Sequence, residues 1–226
     1  MDDGTPSTSN KALAINPKRL QAINKRGNSL QILGRHAEAS TSYDKALVIS
    51  GTYAESHYNR GNALWQLKRF DEALASFDRA IALKPDYPRP FYSRGNLWGE
   101  MNRHEDARKS FQRLIDIAPE FDYAPGDLLY AQLFCCDWSQ LEQRVAGIAG
   151  RVRAGKRVVT PFPLLSLSDS AADQLRCSQM LVSDKFPAAS QPAWRGERYR
   201  HDRIRLAYLS ADFRVHPSAF LLAGVL

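Results

Sequence analysis

The sequence predicts a mainly α-helical chain, a solenoid of antiparallel helix pairs that gives way near its C-terminus to the start of an α/β domain. Two observations predict the solenoid. An Arg-Gly-Asn triplet recurs at residues 26–28, 60–62 and 94–96, in steps of 34. Between the triplets, apolar residues follow helical spacing and are broken by short turns. A third observation predicts the α/β start. Residues 204–226 read "IRLAYLSADFRVHPSAFLLAGVL". An alternating apolar run leads through a polar turn and a proline into a second apolar run, as in a strand–loop–helix unit.

The 34-residue step recurs in other columns. Ala39, Ala73 and Ala107 share it, as do Tyr43, Phe77 and Phe111, and Pro85 precedes Pro119 by the same interval. Each column has a physical demand. Gly27, Gly61 and Gly95 on the first helix of each pair, and the alanines on the second, let two backbones approach closely. The aromatic ring fills the space between one pair and the next. Proline ends the second helix, because it has no N–H for the ladder and restricts the residue before it. Turns fall at 34–36, 68–70 and 102–104. A period of 34 with small, small, aromatic and proline positions in this order resembles the tetratricopeptide repeat.

Two columns depart from that repeat. Arg26, Arg60 and Arg94 stand where leucine is usual, and their aliphatic stems are expected to pack while the guanidinium reaches water. Gly51 stands where the first copy would carry proline. The segment "KALAINP", 11–17, matches only the tail of a second helix.

The predicted domains are a partial leading repeat or tail at 1–19, three repeats at 20–121, a helical transition segment and linker at 122–202, and the first strand–loop–helix of an α/β lobe at 203–226. Within the transition segment, Leu141, Val145, Ile148 and Val152 predict one apolar helix face. Ser170 and Asp173 predict a capping box before a helix reaching about Val182.

Composition narrows the function classes. The 226 residues are 44% hydrophobic and 24% charged, ordinary for a globular chain. No apolar run approaches the ~18 residues of a membrane helix, and the N-terminus "MDDGTPSTSN" is unlike a signal peptide. The expected location is cytoplasmic. Cys135, Cys136 and Cys177 lack metal-ligand spacing and read as reduced thiols. The net charge is +7, with arginine-rich stretches at 151–157 and 195–205. Without interleaved aromatics these read as solvated faces, so neither nucleic acid nor membrane is an expected partner. No metal site, P-loop or dinucleotide fingerprint is present.

On the first helix of each pair, Asn28, Asn62 and Asn96 lie one repeat apart and predict an amide ladder. A carboxamide both donates and accepts, so a row of them can clamp an extended peptide backbone without demanding a sequence.

The order of the repeats, then "CDW" at 136–138, "TPFPLLSLSD" at 160–169 and "RLAYLSADFRVHPSAFLL" at 205–222 resembles the bacterial branch of the O-linked N-acetylglucosamine transferase family. The resemblance runs from about Leu20 to Leu226. It implies repeats that precede a two-lobed glycosyltransferase of the GT-B type. That enzyme transfers a sugar, from a donor such as UDP-GlcNAc, to Ser/Thr hydroxyls with inversion and without a metal or other cofactor. Protein or peptide acceptors would lie along the repeat groove, and a homodimer stays open. The family's own asparagine ladder falls at Lys25, Asn59 and Ser93, where only Asn59 matches.

The resemblance also implies a site after the first strand, 204–209. His216, at a helix N-terminus beside Pro217, is the candidate base or sugar contact, and Asp212 supports the loop. Phe220 stands where animal members carry a second histidine. The resemblance makes the sequence an incomplete enzyme, expected to be inactive by itself. The alternative expectation is a repeat adaptor that binds peptides without catalysis.

Overall fold

The computed structural model describes residues 17–187, within one compact unit that ends at Pro187. The expected strand at 204–209, Asp212 and His216 lie outside the described residues.

Among the described residues the structure is entirely helical. The elements are α1 Pro17–Ile32, α2 His36–Ile49, α3 Ala54–Gln66, α4 Phe70–Leu83, α5 Pro88–Glu100, α6 His104–Ile117, α7 Ala124–Phe134, α8 Leu141–Arg153, α9 Pro161–Leu167 and α10 Ala171–Lys185. The pairs α1/α2, α3/α4 and α5/α6 form three hairpins stacked in chain order, and α7 packs on α6.

The columns behave as their chemistry requires. In α4, Ala73, Ser76, Phe77 and Ala80 are buried on one face with Leu74 beside them, the i, i+3, i+4, i+7 stripe of an amphipathic helix. Tyr43 and Phe77 are completely buried and Phe111 nearly so. Each ring lies against the glycine of its own hairpin's first helix, Gly27, Gly61 or Gly95.

The turns share one main-chain design. Gly34, Lys68 and Asn102 have φ of 72°, 60° and 58°. In each turn this residue's N–H bonds the carbonyl three residues back, and the next N–H bonds the carbonyl five back, as in Arg69 to Leu64 at 3.0 Å. That is a Schellman closure. Cys136, at φ 57°, repeats the design one step later, with Asp137 N–H on Gln132. The period therefore continues into α7 and α8, where the glycine column reads Leu129.

Arg60 and Arg94 do not simply reach water. Arg60 bonds Asp44 on α2 at 2.6 Å and Ser76 Oγ on α4 at 2.7 Å. Arg94 bonds Asp78 on α4 at 2.6 Å and Ser110 Oγ on α6 at 3.1 Å. Each arginine thus ties its own hairpin to the one before. The cause is a buried serine column, Ser42, Ser76 and Ser110, whose hydroxyls also donate to the carbonyl four residues back.

Beyond α7 the packing changes. Leu129, Ile148, Val152, Val158, Val159, Leu164 and Cys177 form a separate core, with Leu141 and Val145 against it. The face predicted for α8 is therefore the one it buries. The chain at 157–158 crosses the start of α7, where Tyr123 N–H bonds Arg157 O at 2.6 Å and Gly126 N–H bonds Val158 O at 2.7 Å. A side chain at Gly126 would collide with Val159, its β-carbon falling 2.6 Å from that of valine. Ser170 accepts from Asp173 N–H at 3.3 Å, the expected cap. The helix it starts runs on to Lys185. Asp173 turns its own carboxylate to Arg153, at 2.7 Å.

Candidate functional site: the first-helix face and the cleft at Asp127

The first helices α1, α3, α5 and α7 carry the polar column that faces from one hairpin to the next. Asn28 Oδ1 on α1 accepts from Asn59 Nδ2 on α3 at 3.1 Å and from the Tyr43 hydroxyl at 2.7 Å. One turn earlier, Asn24 Nδ2 donates to Glu55 Oε1 at 3.2 Å, and Ser56 Oγ donates to Asn24 Oδ1 at 3.1 Å. The amide acceptor of Asn28 is therefore engaged within the protein. Asn59 and Asn62 are half-buried on α3, and Asn96 is half-buried on α5.

Asn28 and Asn59 are 31 residues apart, and the same interval leads from Asn96 on α5 to Asp127 on α7. Asp127 is also one 34-residue step beyond Ser93 and two beyond Asn59. Followed by its glycines, the column Lys25, Asn59 and Ser93 ends at Ser93. The signal that reaches Asp127 is the period itself, carried one copy past the lost glycine.

Asn96 and Asp127 share a cleft of about 460 Å³, within the size range of ligand sites. Gly95 and Gly99 of α5, Tyr130 and Phe134 of α7, and Thr160, Phe162 and Pro163 at the start of α9 complete most of its walls. The His104 ring stacks on Phe134 with centroids 4.1 Å apart, and Tyr130 meets Phe134 edge-on at 4.9 Å. Phe162 is 75% exposed.

Asp127 is the one carboxylate in this lining, which contains no lysine or arginine. Burial pushes its carboxyl up to about 6, and a hydrogen bond from Tyr92 works in the opposite direction. Tyr92 also bonds Asn96, and burial raises its phenol. The second carboxyl oxygen, Oδ2, is buried without a partner.

Other hollows lie off this face. One of about 390 Å³ between α6, α7 and α8 is lined by Ile115, Leu128 and Arg144. Among the described residues no group of three or more His, Cys, Asp or Glu could hold a metal ion. No helix among them is long and apolar enough to cross a membrane.

Comparison with known proteins agrees with this geometry. A tetratricopeptide-repeat family model matches residues 54–87, and a TPR-repeat model matches residues 27–68. No curated protein matches the chain. Among solved structures, the crystal structure of MamA is 25% identical, with a TM-score of 0.53 over 60% of this chain and 80% of that one. The first TPR domain of human RPAP3 is 23% identical, with a TM-score of 0.51 over 54% of this chain and 95% of that one. The first TPR of Spaghetti (RPAP3), bound to the HSP90 peptide SRMEEVD, is 23% identical at a TM-score of 0.50 over 52% and 93%. No glycosyltransferase is among these proteins. Residues 27–87 of this chain are tetratricopeptide repeats.

Proposed function

We propose that the chain is a peptide-binding repeat module, whose first-helix face takes an extended polypeptide segment. Asn59, Asn62 and Asn96 address the peptide backbone, and Asn28 holds Asn59 in place. The observation that carries this reading is the polar column of α1, α3 and α5 leading into the cleft at Asp127. A peptide entering with its backbone along the amides can exchange hydrogen bonds without a required sequence. The RPAP3 relative, whose fold is similar, was solved with a peptide bound. The three free cysteines support a reducing, cytoplasmic setting.

The test is fluorescence anisotropy with a library of extended octapeptides. Asn59→Ala is expected to weaken all binding members about fivefold to tenfold, the size of one or two lost hydrogen bonds. Unaltered affinities in that variant overturn the proposal.

A second reading rests on two sequence motifs, "CDW" at 136–138 followed by "SADFRVHP" at 210–217. On it, the module presents acceptor proteins to an O-GlcNAc transferase-like enzyme using UDP-GlcNAc, with His216 as base or sugar contact and Asp212 as loop support. The test uses the protein purified from its native source. Transfer of GlcNAc from UDP-GlcNAc to peptide hydroxyls, abolished by His216→Ala, supports this reading. Absence of transfer leaves peptide binding as the function.

A further inference from the structure

We infer that the cleft between α5, α7 and the start of α9 is a subsite for a lysine side chain of the bound peptide, with Asp127 as its ionic partner. The inference rests on the peptide-binding reading and names which residue that face selects.

Three observations converge on a cation. A buried carboxylate is ordinarily paired, because an unpaired one bears the full desolvation cost. Tyr92 lies against the Asp127 carboxyl, whose Oδ2 is buried with no hydrogen-bond partner. The cleft lining holds no lysine or arginine to supply the missing partner, and its one histidine, His104, is stacked on Phe134. A buried polar group left in this state calls for an explanation, and a partner arriving from outside is one.

The walls fit the rest of a lysine. Tyr130, Phe134 and Phe162 supply apolar and aromatic surface for a four-carbon stem. Aromatic faces also favour a nearby ammonium.

Lysine fits better than arginine for a geometric reason. A guanidinium is best met by two carboxylate oxygens at once. Asp127 is a single carboxylate already approached by the Tyr92 hydroxyl, which leaves less room for a two-pronged guanidinium than for a point charge. The location fits as well. Asp127 continues the column of Asn59 and Ser93, so a backbone tracking the amides reaches this cleft next.

The experiment varies one central residue of the octapeptide library. The wild-type protein is expected to prefer lysine to its uncharged isostere norleucine by about tenfold or more, and to prefer lysine to arginine. Asp127→Asn brings the lysine peptide down to the norleucine level, whereas Asn59→Ala weakens both peptides alike. Phe162→Ala, at an exposed wall position, reduces the lysine preference without unfolding the chain. A lysine preference that survives Asp127→Asn overturns the subsite and leaves the groove standing. Absence of peptide binding by the wild type, or indifference to Asn59→Ala, overturns the groove and the subsite with it.

Discussion

Phe77 Cε1 lies 2.5 Å from the point where a β-carbon on Gly61 would be. Phe77 is wholly buried and cannot swing away. Gly61→Ala therefore sets two effects against each other. Alanine improves helix propensity by about 1 kcal/mol, while overpacking a tight core costs about 1–3 kcal/mol. The expected outcome is a net loss of about 1–2 kcal/mol by urea denaturation. Phe77→Leu in the same chain should recover part of it, giving a non-zero coupling energy in a double-mutant cycle.

The arginine ties should be visible in one contrast. Arg60→Met removes bonds to both Asp44 and Ser76 and is expected to cost about 1 kcal/mol. Asp44→Asn touches only the exposed half of that arrangement, with Asp44 52% exposed, and should cost no more than about 0.5 kcal/mol. Equal losses in the two variants would show that the Ser76 bond contributes nothing.

The pH dependence centres on Asp127, with Tyr92, Tyr130 and His104 the titratable side chains around it. Its folded carboxyl sits at about 6 against an ordinary value of 3.8. Between those values the folded state holds a proton that the unfolded state has lost. The group's stabilising contribution is therefore complete below about pH 4, falls as pH rises, and is gone above about 6. At pH 7, Asp127→Asn should be the more stable protein, by up to about 3 kcal/mol. The gap should close as both proteins are melted at progressively lower pH towards 4. A constant gap would show that Asp127 carries no raised pKa.

The left-handed turn residues give a stability series. Gly34→Ala introduces a β-carbon at φ 72° and is expected to cost about 1 kcal/mol. Lys68→Gly, at φ 60°, removes one and should stabilise by a fraction of that, since glycine also loses more entropy on folding. Thermal melts of the two variants should move in opposite directions.

Three hairpins were legible in the sequence because each column answers a separate side-chain demand, so glycine, alanine and aromatic all signal the same step. The fourth turn was not, because its size complement is inverted. Where the first three pairs set glycine against an aromatic ring, the same columns of α7 and α8 carry Leu129 and Val145. The bulk has moved from one helix to the other, α8 touches α7 along only a short stretch, and 157–159 fills in. Asp127 was hidden by the same change, since its column was followed only as far as the glycines lasted. Arg60 and Arg94 departed from expectation for a different reason, whereas Arg26 is exposed as expected. A column that breaks an apolar rule looks solvent-directed until the buried serine opposite it is placed.

The turns at Gly34, Lys68, Asn102 and Cys136 have a consequence for how this chain could be shortened. Their torsions and hydrogen bonds are interchangeable, so removing residues 69–102 would join Lys68 to Arg103 with the local backbone intact. The shortened protein would set Gly61 against Phe111 and bring Asn62 to the place of Asn96. The array behaves as a screw thread whose pitch is written in main-chain angles, and whole turns can be taken out of it while the cleft at Asp127 keeps an amide beside it.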